Sequence, residues 1–157
     1  MTMAAAETSI SEEAQIRALV QERIAALRDK DAARFAATYA PEIVKFDLAP
    51  PLQVAGPHVA EAGYWRPWLE SWAGPVTLEV TELHVTVGAD IAFCHSLNRM
   101  RGTQTDGGPQ DLWFRATLGL RKARGGWKIT HEHTSTPFYM DGSGRAATDL
   151  RPEASDA

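Results

Sequence analysis

The sequence predicts an α+β domain in which N-terminal helices pack on a strongly curved antiparallel β-sheet and enclose a pocket. Three observations carry this. Apolar residues recur at helical spacing in the N-terminal part of the chain and at alternate positions from Val76 onward. The alternation slips once, between Val80 and Leu83, as a β-bulge that bends a sheet requires. Helices followed by a meander of strands is the order of a sheet covered on one face by helices. A sheet bent this way and closed by helices makes a cone with a hollow inside.

Each element has its own signal. Ser9 and Glu12 match a paired N-terminal helix cap. From there to Asp29, the residues Ile16, Leu19, Val20, Ile24 and Leu27 form one apolar stripe. Asp31 caps a second, short helix with Phe35 and Tyr39 on one side, and Pro41 is expected to stop it. Ile43–Leu48 reads as a strand closed by Pro50 and Pro51. Gly56-Pro57 opens a third helical segment, His58–Trp72, in which Pro67 is expected to mark a break.

The strands follow. Val76, Leu78 and Val80 alternate in one phase, and Leu83, Val85 and Val87 in the other. Ile91–Arg101 is the next strand, and Gly102–Pro109 a polar loop. Leu112, Phe114, Ala116, Leu118 and Leu120 share one face of a long strand. Arg124-Gly125 is a two-residue hairpin turn. That turn pairs Leu120 with Ile129, Leu118 with His131, Ala116 with His133 and Thr117 with Glu132. Residues 1–8 read as a tail, 9–140 as one domain, and 141–157 as a polar tail.

Composition narrows the function classes. The chain has 157 residues, 44% of them hydrophobic, enough for one domain with a real core. Its formal net charge is −4, and no basic patch interleaves with aromatic residues, so nucleic acid is not an expected partner. The basic group Arg121, Lys122 and Arg124 sits at the hairpin tip. Cys94, the one cysteine, lies in a strand-like run and reads as a small buried group. The N-terminus lacks the pattern of a signal peptide, and no apolar run reaches membrane-spanning length. A cytoplasmic protein with no membrane partner is expected.

The segment richest in chemistry is Trp127–Pro137. Trp127 and Ile129 are core-like, and strict alternation puts His131, His133 and Ser135 on their face. Polar groups continuing a core-facing row suggest a lined cavity for a small molecule. His131 and His133 would stand about 7 Å apart along the strand, from two rises of roughly 3.3–3.4 Å. Three roles are open. One histidine pairs with Asp47 in acid–base chemistry; both bind a metal with Asp47 as third ligand; or both are structural.

These residues together resemble a known family. The opening helix with Glu22–Leu27, then Asp31 and Tyr39–Glu42, the strand Val44–Leu48 followed by Pro50-Pro51-Leu52 and Gly56, and the closing Gly126–Ile129, His131–His133, Ser135 and Pro137 are similar to the SnoaL-like, ketosteroid-isomerase-like branch of the nuclear-transport-factor-2-like (NTF2-like) superfamily. The match runs over roughly residues 10–140. The resemblance implies a cone-shaped fold with a deep pocket and a homodimer formed through the sheet. Such domains include isomerases, cyclases, dehydratases, hydrolases and domains that only bind or dimerise, so fold does not fix activity.

A ketosteroid isomerase uses an aspartate base with a tyrosine and a protonated aspartic acid. By that resemblance Asp47 stands at the base position, but Arg23 occupies the tyrosine position. The strand Leu112–Arg124 offers no second acid, since Asp111 sits at its start on the other face. Efficient steroid isomerisation is therefore not expected. What remains is cofactor-free acid–base chemistry of isomerase, dehydratase or cyclase type, with Asp47 as base and His131 or His133 as its partner. The alternatives are a non-catalytic binding or dimerisation domain, and the metal site of His131, His133 and Asp47.

Tyr64, Trp65 and Trp68 are expected to roof the pocket and Phe114 and Ser135 to line it, which favours an apolar or aromatic ligand. Trp113, Arg115 and Thr117 take the opposite face, where an exposed tryptophan among charges reads as a dimer surface. A one-residue slip in register would instead turn Arg115 into the pocket as an anion clamp.

Overall fold

A computed structural model describes residues 10–154. Helix α1, Glu12–Arg28, begins where the Ser11 hydroxyl accepts from the Ala14 amide at 3.1 Å. Ser9 lies outside the described residues. Glu12 instead accepts from the Trp127 indole at 2.6 Å, tying the helix start to the last strand. The buried stripe of α1 is Ile16, Val20, Arg23, Ala26 and Leu27. Helix α2, Ala32–Ala36, is capped by Asp31 as expected, its carboxylate accepting from the Arg34 amide at 3.0 Å.

Two proline expectations are corrected. Pro41 does not stop α2, which ends at Ala36; it lies within strand β1, Tyr39–Phe46. It sits where the pairing of β1 with its neighbour is irregular, between Tyr39 and Val44, so its missing N–H breaks no regular ladder. Pro67 does not break its helix either. A short 3₁₀ turn, Pro57–Ala60, precedes α3, Ala62–Glu70, which runs across Pro67. Only the bond to Gly63 is forfeited. Trp72 lies beyond α3 and bridges Gln104.

The sheet has six strands in the order β2-β1-β6-β5-β4-β3. Their ranges are Val54–Ala55 (β2), Thr77–Val87 (β3), Ile91–Thr103 (β4), Pro109–Ala123 (β5) and Gly126–Ser135 (β6). Strands β3 to β6 form the expected antiparallel meander, but β1 adds to β6 in parallel, so the sheet is mixed. The bulge of β3 falls between Thr81 and His84, with Glu82 at φ 51°. It lets Val80 and Leu83 both face the helices. The β5–β6 turn is at Arg124-Gly125, closed by Ala123 opposite Gly126.

A second bulge is the main correction. Leu120 pairs with Ile129 as expected, but Gly119 then pairs with His131, leaving Thr130 as an extra residue. Beyond it every partner moves by one: Leu118 faces Glu132, Thr117 faces His133, Ala116 faces Thr134 and Arg115 faces Ser135. Alternation then buries Glu132 and Thr134 on the helix side and turns His131, His133 and Ser135 to the outer face. Gly119, opposite His131, eases the close approach of the two strands beside the bulge. A β-carbon there would lie 3.3 Å from that of His131.

After β6 the chain folds back. Phe138 bridges Ala146, and Ala147 is buried with its amide donating to the Pro137 carbonyl at 2.7 Å. Among the described residues no helix is long and apolar enough to cross a membrane. The core joins α1 and α2 to the inner sheet face through Ile16, Phe35, Leu120 and Ile129. Ile129→Ala or Leu120→Ala should lower stability by about 2–5 kcal/mol in urea unfolding. Leu52→Ala, at a side chain 96% exposed, should shift it by no more than about 0.5 kcal/mol.

Candidate functional site

Between the helices and the inner sheet face lies a cavity of about 590 Å³. Its roof is apolar and aromatic, from Trp65, Trp68 and Trp72, and β5 supplies Leu112, Phe114 and Ala116 to the opposite wall. Besides Gln104 and Gln110, two polar groups interrupt this lining. One is a neutral pair on β4, where the Ser96 hydroxyl donates to the Asn98 side-chain oxygen at 2.7 Å. The other is a buried charge cluster built from α1, β1 and β6.

Arg23, on the buried stripe of α1, donates from Nη2 to Glu132 Oε1 at 2.9 Å and to the Tyr39 hydroxyl at 3.1 Å. Its Nη1 donates to Thr38 Oγ1 at 2.9 Å. Tyr39 in turn donates to Glu132 Oε2. Lys45 Nζ stands 3.4 Å from Glu132 Oε2 and 3.1 Å from Asp47 Oδ2. That ammonium also lies 4.4 Å from the centre of the Trp65 ring, within cation–π range. Asp47 Oδ1 accepts from Thr134 Oγ1 at 3.1 Å and from the Leu48 amide at 2.8 Å.

The cluster fixes its own charge states. Burial alone would push the Glu132 carboxyl up, but Arg23 and Lys45 outweigh it and hold it at about 2. Burial opposes the charge on Lys45, yet Glu132, Tyr39 and Asp47 raise it above the ordinary lysine range. Arg23 is raised in the same way, burial being outweighed by Glu132. Burial pushes the Tyr39 phenol up to about 12, so it remains a donor. The floor is therefore two fixed cations and one fixed anion, with Asp47 beside Lys45. Asp47 is the most accessible of the four charged side chains, 37% exposed against 5–9% for the others.

Of the residues singled out from sequence, Asp47, Tyr64, Trp65, Trp68 and Phe114 line the cavity. His131 and His133 do not. They lie on the outer face edge-on to Phe46, ring centres 4.9 and 5.4 Å away, and His131 Nδ1 donates to the Val44 carbonyl at 2.8 Å. The Thr130 bulge is the reason, and it separates both histidines from Asp47 by the thickness of the sheet. The acid–base partnership and the metal triad drawn from these three residues therefore do not assemble. Among the described residues no cluster of metal-ligating side chains forms. Arg115 and Ser135 are also outside, bonded to each other at 3.1 Å, and Asp111 is held by Arg99. Arg115 cannot serve as an anion clamp in the cavity.

Lys45, Glu132, Thr134 and the Ser96–Asn98 pair were not placed in the site by sequence reasoning, and Arg23 entered it only through the family resemblance, at the tyrosine position and with no role of its own. Two left a signal. Arg23 continues the spacing Ile16, Val20, Arg23, Leu27, which is one helix face. Lys45 alternates with Ile43, which is fully buried, and with Asp47.

The sequence pattern of the SnoaL-like domain matches residues 16–139. The chain belongs to the SnoaL-like family. An NTF2-like protein of unknown function from Pseudomonas putida KT2440 is 34% identical, over 92% of this chain and 100% of that one, with a TM-score of 0.77. A ketosteroid isomerase-like protein from Erwinia carotovora atroseptica is 24% identical, over 81% and 97%, with a TM-score of 0.65. A suggested dehydratase of the NTF2-like family from Streptomyces avermitilis is 15% identical, over 79% and 95%, with a TM-score of 0.69. The last two show the shared fold. No curated protein matches the chain. All the cavity residues named here fall within the SnoaL-like domain.

The Glu132 carboxyl is lowered from an ordinary 4.5 to about 2, so its contribution to stability is complete above pH 4.5 and is lost as pH falls toward 2. Glu132→Gln should remove that part of the acid dependence. It should also cost about 3–5 kcal/mol at neutral pH, because it leaves the buried Arg23 without a carboxylate and Lys45 with Asp47 alone. Urea midpoints from pH 7 to pH 2.5 for both proteins measure both effects.

Proposed function

We propose that this protein binds a neutral, largely apolar or aromatic small molecule in the cavity and acts on it by cofactor-free acid–base chemistry. The observation that carries this is the charge cluster in an apolar cavity. Arg23 and Lys45 balance Glu132 and Asp47 within hydrogen-bonding range, so the ligand need bring no compensating charge. A charged ligand would have to break that balance in a site where unpaired charge is costly.

Asp47 is the proposed base. It removes a proton next to a carbonyl, and the adjacent Lys45 ammonium stabilises the negative charge that develops on the ligand oxygen. Lys45 and Thr134 take the supporting place that sequence analysis gave to the histidines. The reaction classes that fit are isomerisation, dehydration and cyclisation. The suggested dehydratase and the ketosteroid isomerase-like protein are in keeping with this range.

One observation favours a second reading, a binding domain without catalysis. Asp47 Oδ1 already accepts from two donors, Leu48 and Thr134, and Oδ2 is ion-paired with Lys45, which leaves little of the carboxylate free for a substrate proton. Association through the outer sheet face is also proposed, since Ile91 and Phe93 are exposed apolar side chains there. Light scattering should then give twice the 17.2 kDa chain mass.

A thermal-shift screen with aromatic and polyketide-like ketones tests the cavity. A ligand at 100 times its Kd should stabilise the fold by about 2.7 kcal/mol. Product analysis on each hit then separates the two readings. With catalysis, Asp47→Asn should retain binding and lose turnover by about 10²-fold or more. Unchanged turnover in that variant would end the Asp47 proposal, and binding without product would establish the second reading.

A further inference from the structure

Asn98 stands on the inner face of β4, between Val80 of β3 and Phe114 of β5, and lines the cavity. It is 8% exposed, so its side-chain amide has to find partners inside the protein. Only half of it does. The Ser96 hydroxyl donates to the Asn98 oxygen at 2.7 Å, while the amide nitrogen has no acceptor among the described residues. Nor is that nitrogen walled in. Among the described residues, the side-chain polar atoms that are both sealed off and unpartnered are the Trp72 and Trp113 indole nitrogens. The Asn98 nitrogen is not one of them, so it opens onto the space that Asn98 lines.

The Ser96 bond decides which end of the amide is free. Ser96 is buried, and its hydroxyl has no other partner among the described residues. A hydroxyl proton can be given to an amide oxygen but not to an amide nitrogen, which only donates. Ser96 therefore holds the oxygen and leaves the nitrogen as the free end. The inward residues of β4 on either side, Cys94 and Met100, bring no competing strong acceptor.

We propose that Asn98 is a recognition point for a hydrogen-bond acceptor on the cavity ligand, with Ser96 as its positioning residue. A free amide nitrogen offers donors and no acceptor, so the matching neutral group is a carbonyl or hydroxyl oxygen. The sheet sets how far this point lies from the charge cluster. Ser96 pairs with Ala116, and Ala116 with Thr134, whose hydroxyl donates to Asp47. Two strand spacings of roughly 4.8 Å put the Ser96 backbone about 10 Å from that of Thr134. Ala116, the residue between them, is small and lines the cavity. Side chains reach in from both ends, so a bicyclic frame spans the remainder. The ligand is thus an apolar ring system with oxygen at both ends, a ketone at Lys45 and Asp47 and a second oxygen at Asn98. This rests on the cavity reading of the proposed function.

Asn98 is the one asparagine in the chain, so labelling with ¹⁵N-asparagine gives a single side-chain NH₂ group in ¹⁵N–¹H spectra. Labelling tryptophan as well lets the indole signals of Trp65 and Trp68, which line the cavity, report its occupancy. The probes are 2-tetralone, which carries the ketone alone, and 6-hydroxy-2-tetralone, which adds an oxygen at the far end. Both should move the indole signals. Only the hydroxylated probe should pull an Asn98 NH₂ proton downfield, and it should bind about tenfold more tightly. That preference should vanish in Asn98→Leu and shrink in Ser96→Ala. A purely structural role for Ser96 would weaken both probes alike and keep their ratio. An Asn98 signal that responds to neither probe, or equally to both, while the indole signals move overturns the recognition point and leaves the cavity reading standing. These spectra are taken on the unaltered protein, so they decide the matter even if a variant fails to fold. If neither probe moves an indole signal, the cavity reading falls and this proposal falls with it.

Discussion

The extra residue in the last strand, Thr130, decides which chemistry this protein has. A strand exposes alternate side chains to opposite faces, so one inserted residue exchanges the two sets. Before the bulge, Trp127 and Ile129 enter the core. After it, Glu132 and Thr134 take the inner face, and the histidines take the outer one. Without that shift, Arg23 and Lys45 would be buried cations without Glu132. With it, the acid lands between them.

The cluster is not explained by stability alone. Removing charges from water costs several kcal/mol per ion, and a well-packed apolar substitute often does as well. What an ion cluster provides that an apolar core does not is a fixed electric field beside an open space. Glu132 is held ionised and Tyr39 protonated, so neither changes state under ordinary conditions. Asp47, at the edge of the same cluster and partly open to the cavity, is the member placed to meet a ligand.

Much of the fold was legible because its signals are local. The stripe of α1, the Asp31 cap, the phase slip in β3 and the Arg124-Gly125 turn each lie within a few residues. So did the inner face of β5, and with it Phe114; Asp47 came from the family resemblance. Three things were not legible. The register of β6 beyond Ile129 depends on a run, Thr130–Ser135, with no apolar residue to pin it to one face. A charged residue on an apolar stripe reads as a surface group until its partner is known. The partner of Arg23 lies 109 residues away. The parallel pairing of β1 with β6 is likewise a long-range choice that no local pattern encodes.

The same cluster has a kinetic consequence. It ties α1, β1 and β6 together at the cavity floor through Arg23, Lys45 and Glu132, and the Ile129 amide adds a bond to the Thr38 carbonyl at 2.9 Å. The rim has fewer such bonds: the Tyr64 and Leu48 side chains, both partly exposed, meet the cavity by packing. An enclosure latched at one end and merely packed at the other breathes at the packed end. Opening at that rim breaks fewer bonds than opening at the floor, so the exposed residues 48–50 beside Tyr64 are where the enclosure is least firmly held.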